Sequence, residues 1–171
     1  MTRTFRGFTL VELIVAVGLF AFVMMLASGA YLVMIGANRD AQAITTGINN
    51  LSFALETMTR DIRTGIKYGC GTFGTDCTGG GESFVFMDAN NNSITYTKGT
   101  NGLTKNNIAI TDSSVEVTSL KFYVTGTVNA RGSDYVQPNV VIVVSGKVSA
   151  GPGKWKEFYV ETSATMRGTD L

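Results

Sequence analysis

The chain has 171 residues, with 14 basic and 13 acidic side chains, a net charge of +1, two cysteines and no histidine. A near-neutral balance without a basic run gives no clear sign of nucleic-acid binding. The missing histidine removes the usual Ser/His and Cys/His nucleophiles, and no pair of acids stands out for proton transfer, so the chain is expected not to be an enzyme.

The first element is an apolar run. From Phe8 to Ala37 there are thirty residues and one charge, Glu12. A spanning helix needs about 20 apolar residues at about 1.5 Å of rise each, so this run is long enough to cross a bilayer. Beyond Arg39-Asp40, the apolar positions Ile44, Ile48, Leu51, Leu55, Met58 and Ile62 recur at spacings of four and three. That is one face of an amphipathic helix. The pattern predicts a single long helix, with a transmembrane half at 8–37 and an amphipathic soluble half at 38–66. Gly65 is the expected C-terminal cap, and Arg60 and Arg63 suit the negative end of the helix dipole.

A secretory signal peptide has an apolar region of about 7–15 residues, half the length seen here. An ordinary anchor satisfies hydropathy but leaves Glu12 unexplained, because an unpaired charge at mid-bilayer costs up to about 3 kcal/mol. Arg3 and Arg6 precede the span, whereas Arg39 is offset by Asp40. The positive-inside rule then puts the N-terminus in the cytoplasm and the remaining domain outside. Gly18, Gly29 and Gly36, with Ala27, Ser28 and Ala30 nearby, are small enough to let helices approach closely.

Arg3 and Arg6 ahead of Gly7-Phe8-Thr9-Leu10-Val11-Glu12-Leu13-Ile14-Val15-Ala16 resemble the signal of type IV pilins and type II secretion pseudopilins. The resemblance implies cleavage after Gly7 by a prepilin peptidase, leaving 1–7 as a leader peptide, and N-methylation of the new terminus, Phe8. It also implies an assembly salt bridge between Glu12 and the Phe8 amine of a neighbouring subunit. Cleavage removes two of the 14 basic residues, leaving 14 − 2 = 12 against 13 acidic, a net charge of −1.

The resemblance further implies a structural subunit of a type IV pilus or a type II secretion pseudopilus. Its partners would be other pilin or pseudopilin subunits, the prepilin peptidase, an ATP-driven inner-membrane assembly platform and membrane lipid. It would sit in the inner membrane as a single-pass protein and enter the fibre on assembly. The helix lacks proline, a long glycine loop follows it, and Phe158–Arg167 loosely resembles the last strand of minor pilins, all of which point to a minor subunit. Secretion, DNA uptake, adhesion and motility share this N-terminal device and stay open. The alternative is a single-pass anchored extracytoplasmic binding or sensing domain that does not polymerise.

Residues 67–82 read as a glycine-rich loop holding Cys70 and Cys77. Two cysteines outside the membrane suit a disulfide. Tetrahedral metal coordination lacks further cysteine or histidine ligands, and redox catalysis favours a closer Cys-x-x-Cys pair, so neither a metal nor another cofactor is expected.

From Ser83 to the end at 171 the pattern is β. Short runs at Ser83–Asp88 and Ser93–Lys98 flank the turn Ala89-Asn90-Asn91-Asn92. Leu103–Ile110 reads as a short strand pair, and longer runs follow at Val115–Thr125, Val136–Val148 and Glu157–Met166. A phase change at Thr118-Ser119 predicts a bulge. The continuous Val140–Val144 run predicts a strand buried on both faces. Together the elements predict an α+β, pilin-like fold, a long helix packed against a mostly antiparallel sheet.

Asp88-Ala89-Asn90-Asn91-Asn92 opens like a calcium loop, but Ser93 stands at the sixth position and Gly99 at the twelfth, which rejects an EF-hand. Gly79–Gly81 precedes a strand and so is no phosphate loop. Of Phe84, Phe86, Tyr96, Phe122, Tyr123, Trp155, Phe158 and Tyr159, those at alternating strand positions read as core, and Trp155, between Lys154 and Lys156, as exposed.

Overall fold

The computed structural model describes residues 7–100, 102–127 and 136–167, and the chain divides into two units between Ala41 and Gln42. Arg3 and Arg6, on which the expected orientation rests, lie outside the described residues, as does the leader up to residue 6. The architecture is α+β and pilin-like: one long helix, α1 (Leu10–Thr64), followed by antiparallel strands.

In the first unit α1 is apolar around its whole circumference, and every side chain from Phe8 to Met34 is exposed. In the second unit α1 has a single buried stripe, formed by Gly47, Leu51, Ala54, Leu55, Met58 and Ile62, with Ile44 partly covered. Ile48, expected in that stripe, is 46 % exposed. The stripe passes through Gly47 instead, where a Cβ would lie 3.0 Å from that of Val148. One residue further on, Ile48 is turned about 100° away from the contact.

The helix closes with the Gly65 amide on the Ile62 carbonyl at 3.0 Å. Gly65 stands where the cap was expected, directly after Thr64, but without a left-handed φ; the left-handed residue nearby is Lys67, with φ 56°. Space explains the glycine, since a Cβ at position 65 would lie 2.3 Å from Phe86 Cδ2.

Nine strands follow among the described residues: β1 (Ile66–Gly69), β2 (Cys77–Gly81), β3 (Ser83–Met87), β4 (Ser93–Lys98), β5 (Leu103–Lys105), β6 (Ile108–Ala109), β7 (Val115–Thr125), β8 (Asn139–Ser149) and β9 (Trp155–Thr165). They form two sheets, in the spatial orders β1-β3-β4-β5-β6 and β2-β7-β8-β9, where one sheet was expected. The stretch read as a loop at 67–82 contains most of β1 and all of β2. Long-range pairing makes these strands, Gly69 opposite Val85 and Cys77 opposite Val124, despite their glycine content.

The expected hairpin is present, with Met87 opposite Ser93. The bulge falls between Val117 and Ser119 in the β7–β8 ladder. β8 starts at Asn139 rather than Val136, after Pro138. Its burial alternates: Val140, Ile142 and Val144 are buried, while Val141 and Val143 are only half-buried. Within the chain, one face of β8 is buried and the other is only half-covered. An antiparallel sheet needs cover on one side only, and opposite Val141 and Val143 stand Tyr123, Lys121, Ser163 and Glu161.

The core is aromatic where the two sheets meet. Phe84 of β3 lies 5.4 Å from Phe122 of β7 and 5.5 Å from Phe86, which lies 6.0 Å from Tyr96. Tyr68 closes the cluster edge-on to Phe84 at 5.6 Å and donates its hydroxyl to the Ile62 carbonyl at the helix end. Burial pushes the Tyr68 phenol well above its ordinary pKa.

Candidate functional site

The N-terminal signal is a helix start in physical terms. Gly7 and Phe8 lie outside α1, both exposed, and a Cβ on Gly7 would meet nothing within 4 Å. The peptide bond between them is thus open to solvent. Thr9 caps the helix: its Oγ1 accepts the Glu12 amide at 3.3 Å, and its carbonyl accepts the Leu13 amide at 3.2 Å. Thr-x-x-Glu with the acid in the third helical position is the capping-box pattern, and a carboxylate in the first turn also favours the positive end of the dipole.

Phe8, before the cap, lines one shallow apolar groove with Leu13, Ala16, Val17 and Phe20. Phe8 and Leu13 hold the two positions of a hydrophobic staple, though Phe8 stays 79 % exposed. The spacing Thr9–Glu12 carries this in the sequence, but Thr9 was not singled out there. Glu12 itself is exposed on the surface of the apolar helix.

The small residues of this segment have no use inside the chain. Added Cβ atoms at Gly18, Gly29 and Gly36 would each meet nothing within 4 Å. By length and composition α1 can cross a membrane, with a mean hydropathy of 2.6 in its most apolar window and none of that window buried. Bare apolar surface of this extent is completed by lipid or by other helices.

The other candidate residues lie in the second unit. Cys70 and Cys77 are joined in a disulfide with their Cα atoms 6.1 Å apart, linking the end of β1 to the start of β2 and so one sheet to the other. The Asp88 carboxylate accepts the amides of Asn90 and Asn92, each at 2.8 Å, and Asn92 Nδ2 at 3.1 Å. The Asn92 amide and side chain, then the Asn90 amide, hold that carboxyl below its ordinary range. Asp88 is therefore spent within its own turn, with Asn91 left-handed at φ 61°. Among the described residues no group of three or more metal-ligating side chains converges.

Sequence reading missed one ionic contact. Asp61 Oδ2 on the helix accepts Tyr96 Oη at 2.6 Å and Lys105 Nζ at 2.6 Å. Burial first, then the bond to Asp61 and its charge, push the Tyr96 phenol far up. The helix is thereby pinned to the β4–β5 hairpin. Trp155 is exposed, as expected.

Residues 2–28 match the family model described as the prokaryotic N-terminal methylation motif. The chain carries the prepilin-type signal of pilins and pseudopilins, and the match spans Phe8, the Thr9 cap and Glu12. No curated protein and no solved structure matches the chain.

Proposed function

We propose that this chain is a structural, non-catalytic fibre subunit, a minor pilin or minor pseudopilin of a type IV pilus or type II secretion pseudopilus. A prepilin peptidase cuts the solvent-exposed bond after Gly7 and methylates Phe8. Membrane-held subunits then associate through their apolar helices, and an inner-membrane platform moves the assembly outward. The observation that carries this reading is the coincidence of the methylation motif with a helix start that sets Glu12 three residues past the cap, on a helix whose apolar N-terminal half is bare of intramolecular packing.

Glu12 has a defined role in this mechanism. Alone in lipid, its carboxylate is costly, and a neighbour's Phe8 amine meets it with opposite charge where the dielectric is low. Desolvating both ions offsets much of that attraction, so the pair sets axial register more than it adds stability. The test is the sheared fibre fraction of cells carrying wild-type chain or Glu12→Val. Wild-type chain in that fraction, with the variant retained in the membrane, supports assembly through Glu12. Wild-type chain confined to the membrane would overturn it and leave an anchored binding or sensing domain.

A further inference from the structure

Among the described residues β1, β6, β2 and β9 are the outer strands of the two sheets, and they differ in what they leave open. β1 has four residues, β2 five and β6 two, and the β1 and β2 ladders are both irregular. Short or bulged edges of this kind resist pairing with another chain. β9 is the exception. It runs 11 residues in unbroken register with β8, from Thr165 opposite Asn139 to Trp155 opposite Ser149, with no proline or glycine. Among the described residues no strand pairs with its other side.

Two bonds at the ends of this ladder fix which backbone groups face the open side. The Met166 amide donates to the Pro138 carbonyl at 3.0 Å, and the Ala150 amide to the Lys154 carbonyl at 2.8 Å. In an antiparallel ladder every second pair bonds directly, so the even-numbered residues of β9 spend their amides and carbonyls on β8. Trp155, Glu157, Tyr159, Glu161, Ser163 and Thr165 therefore present theirs to the free edge. Their side chains all lie on the exposed face, whereas Phe158 and Val160 point to the core and are only partly covered there.

The edge is complementary to itself. Laid antiparallel about Val160, a second copy brings the whole strand into register, with Trp155 opposite Thr165, Glu157 opposite Ser163 and Tyr159 opposite Glu161. On the core side Lys156 meets Ala164, Phe158 meets Thr162, and Val160 meets its own copy, which extends the cover of both apolar residues. Charges commonly guard an exposed edge, but here Lys156, Glu157 and Glu161 each meet a neutral or aromatic residue. Moving the centre to Tyr159 sets Glu157 against Glu161, and moving it to Glu161 sets that carboxylate against itself. Like charges directly opposite disfavour both slips.

We propose that β9 is a self-pairing edge: two copies of this chain join antiparallel through β9, continuing the β2-β7-β8-β9 sheet across a two-fold axis at Val160. The same surface is used on both copies, so the contact closes at two. Main-chain hydrogen bonds supply the affinity and the charge pattern supplies the register. The inference concerns the second unit alone and rests neither on fibre assembly nor on membrane anchoring.

The test uses the purified full chain in detergent, with one cysteine added on β9 and a mild oxidant. Val160→Cys falls opposite itself at the axis and should give a disulfide-linked dimer. Thr162→Cys falls opposite Phe158 and should stay unlinked. Tyr159→Pro removes an amide that faces only the free edge, so adding it to Val160→Cys should abolish the link and leave the chain folded. Tyr159→Lys, facing Glu161 of the second copy, should tighten the dimer about fivefold, and Tyr159→Glu should loosen it about as much. Amide exchange of the wild-type chain gives the same reading without a variant, with the Tyr159 and Glu161 amides slowing as chain concentration rises. No link through Val160→Cys in a folded chain, equal linking through Thr162→Cys, or exchange at Tyr159 and Glu161 that ignores concentration would each overturn the proposal.

Discussion

The two halves of α1 obey different rules although they are one helix. Between Phe8 and Met34 apolar side chains point in every direction and none is covered by the chain itself. From Gly47 to Ile62 one stripe is buried against the sheets, while Ile48 and Phe53 stay outside it. The glycines repeat the contrast. Gly47 and Gly65 are small because another part of the same chain presses on them, whereas Gly18, Gly29 and Gly36 touch nothing. The second unit is therefore finished by its own sequence, and the first is finished only by what surrounds it.

The contrast is sharpest under large-to-small substitution. Phe84→Ala removes a fully buried ring that stacks on Phe86 and Phe122, and should cost about 3–5 kcal/mol in equilibrium unfolding of the second unit. Val23→Ala in the bare half should leave that transition unmoved. Equal shifts for the two would break the comparison. Next comes the disulfide, whose closed loop spans a separation of seven residues. Replacing Cys70 and Cys77 with serine should lower stability by about 2.5 kcal/mol on the loop-entropy account, seen as an earlier denaturant midpoint.

Glycine-to-alanine changes give the next effect. Gly65→Ala forces a methyl into Phe86 and should cost about 1–3 kcal/mol, while Gly29→Ala should not change the unfolding midpoint at all. If the glycines of the first half serve close helix approach, Gly29→Ala instead lowers recovery in the fibre fraction.

The smallest effect is acid sensitivity. Burial alone would raise the Asp76 carboxyl, but hydrogen bonds from Thr127 and the Gly126 amide outweigh it and hold it below 3.8. A depressed folded pKa gives stability that is present above the unfolded value and lost as pH falls through the folded one. Asp76→Asn should therefore flatten the fall in melting temperature below pH 3.8 and do so without touching the membrane half.

Much of this contrast was legible in the sequence because periodicity reports coverage. The apolar run, the amphipathic spacing, the Asp88 turn and the Thr118 bulge all follow from local chemistry. What local chemistry does not carry is pairing at a distance. Glycine-rich Cys77–Gly81 is a strand only because Val124 and Phe122 lie opposite, and β1 only because Val85 and Met87 do. Val141 and Val143 show a related limit. A run of valines shows that a strand is apolar, not whether anything covers its second face.

Asp61 was hidden among the charges of an exposed turn, since its partners Tyr96 and Lys105 lie 35 and 44 residues away. At the site itself, the motif residues Gly7, Phe8 and Glu12 were readable, whereas the cap by Thr9 was missed, although Thr-x-x-Glu is a readable signal.

The most direct test of the account is the mass of the intact protein and its N-terminal peptide, taken from membranes of cells with and without a prepilin peptidase. The account predicts a chain starting at N-methylated Phe8 with the peptidase and one retaining Gly7 without it. A chain that keeps its first seven residues in both would contradict it, leaving the bare helix as an anchor alone.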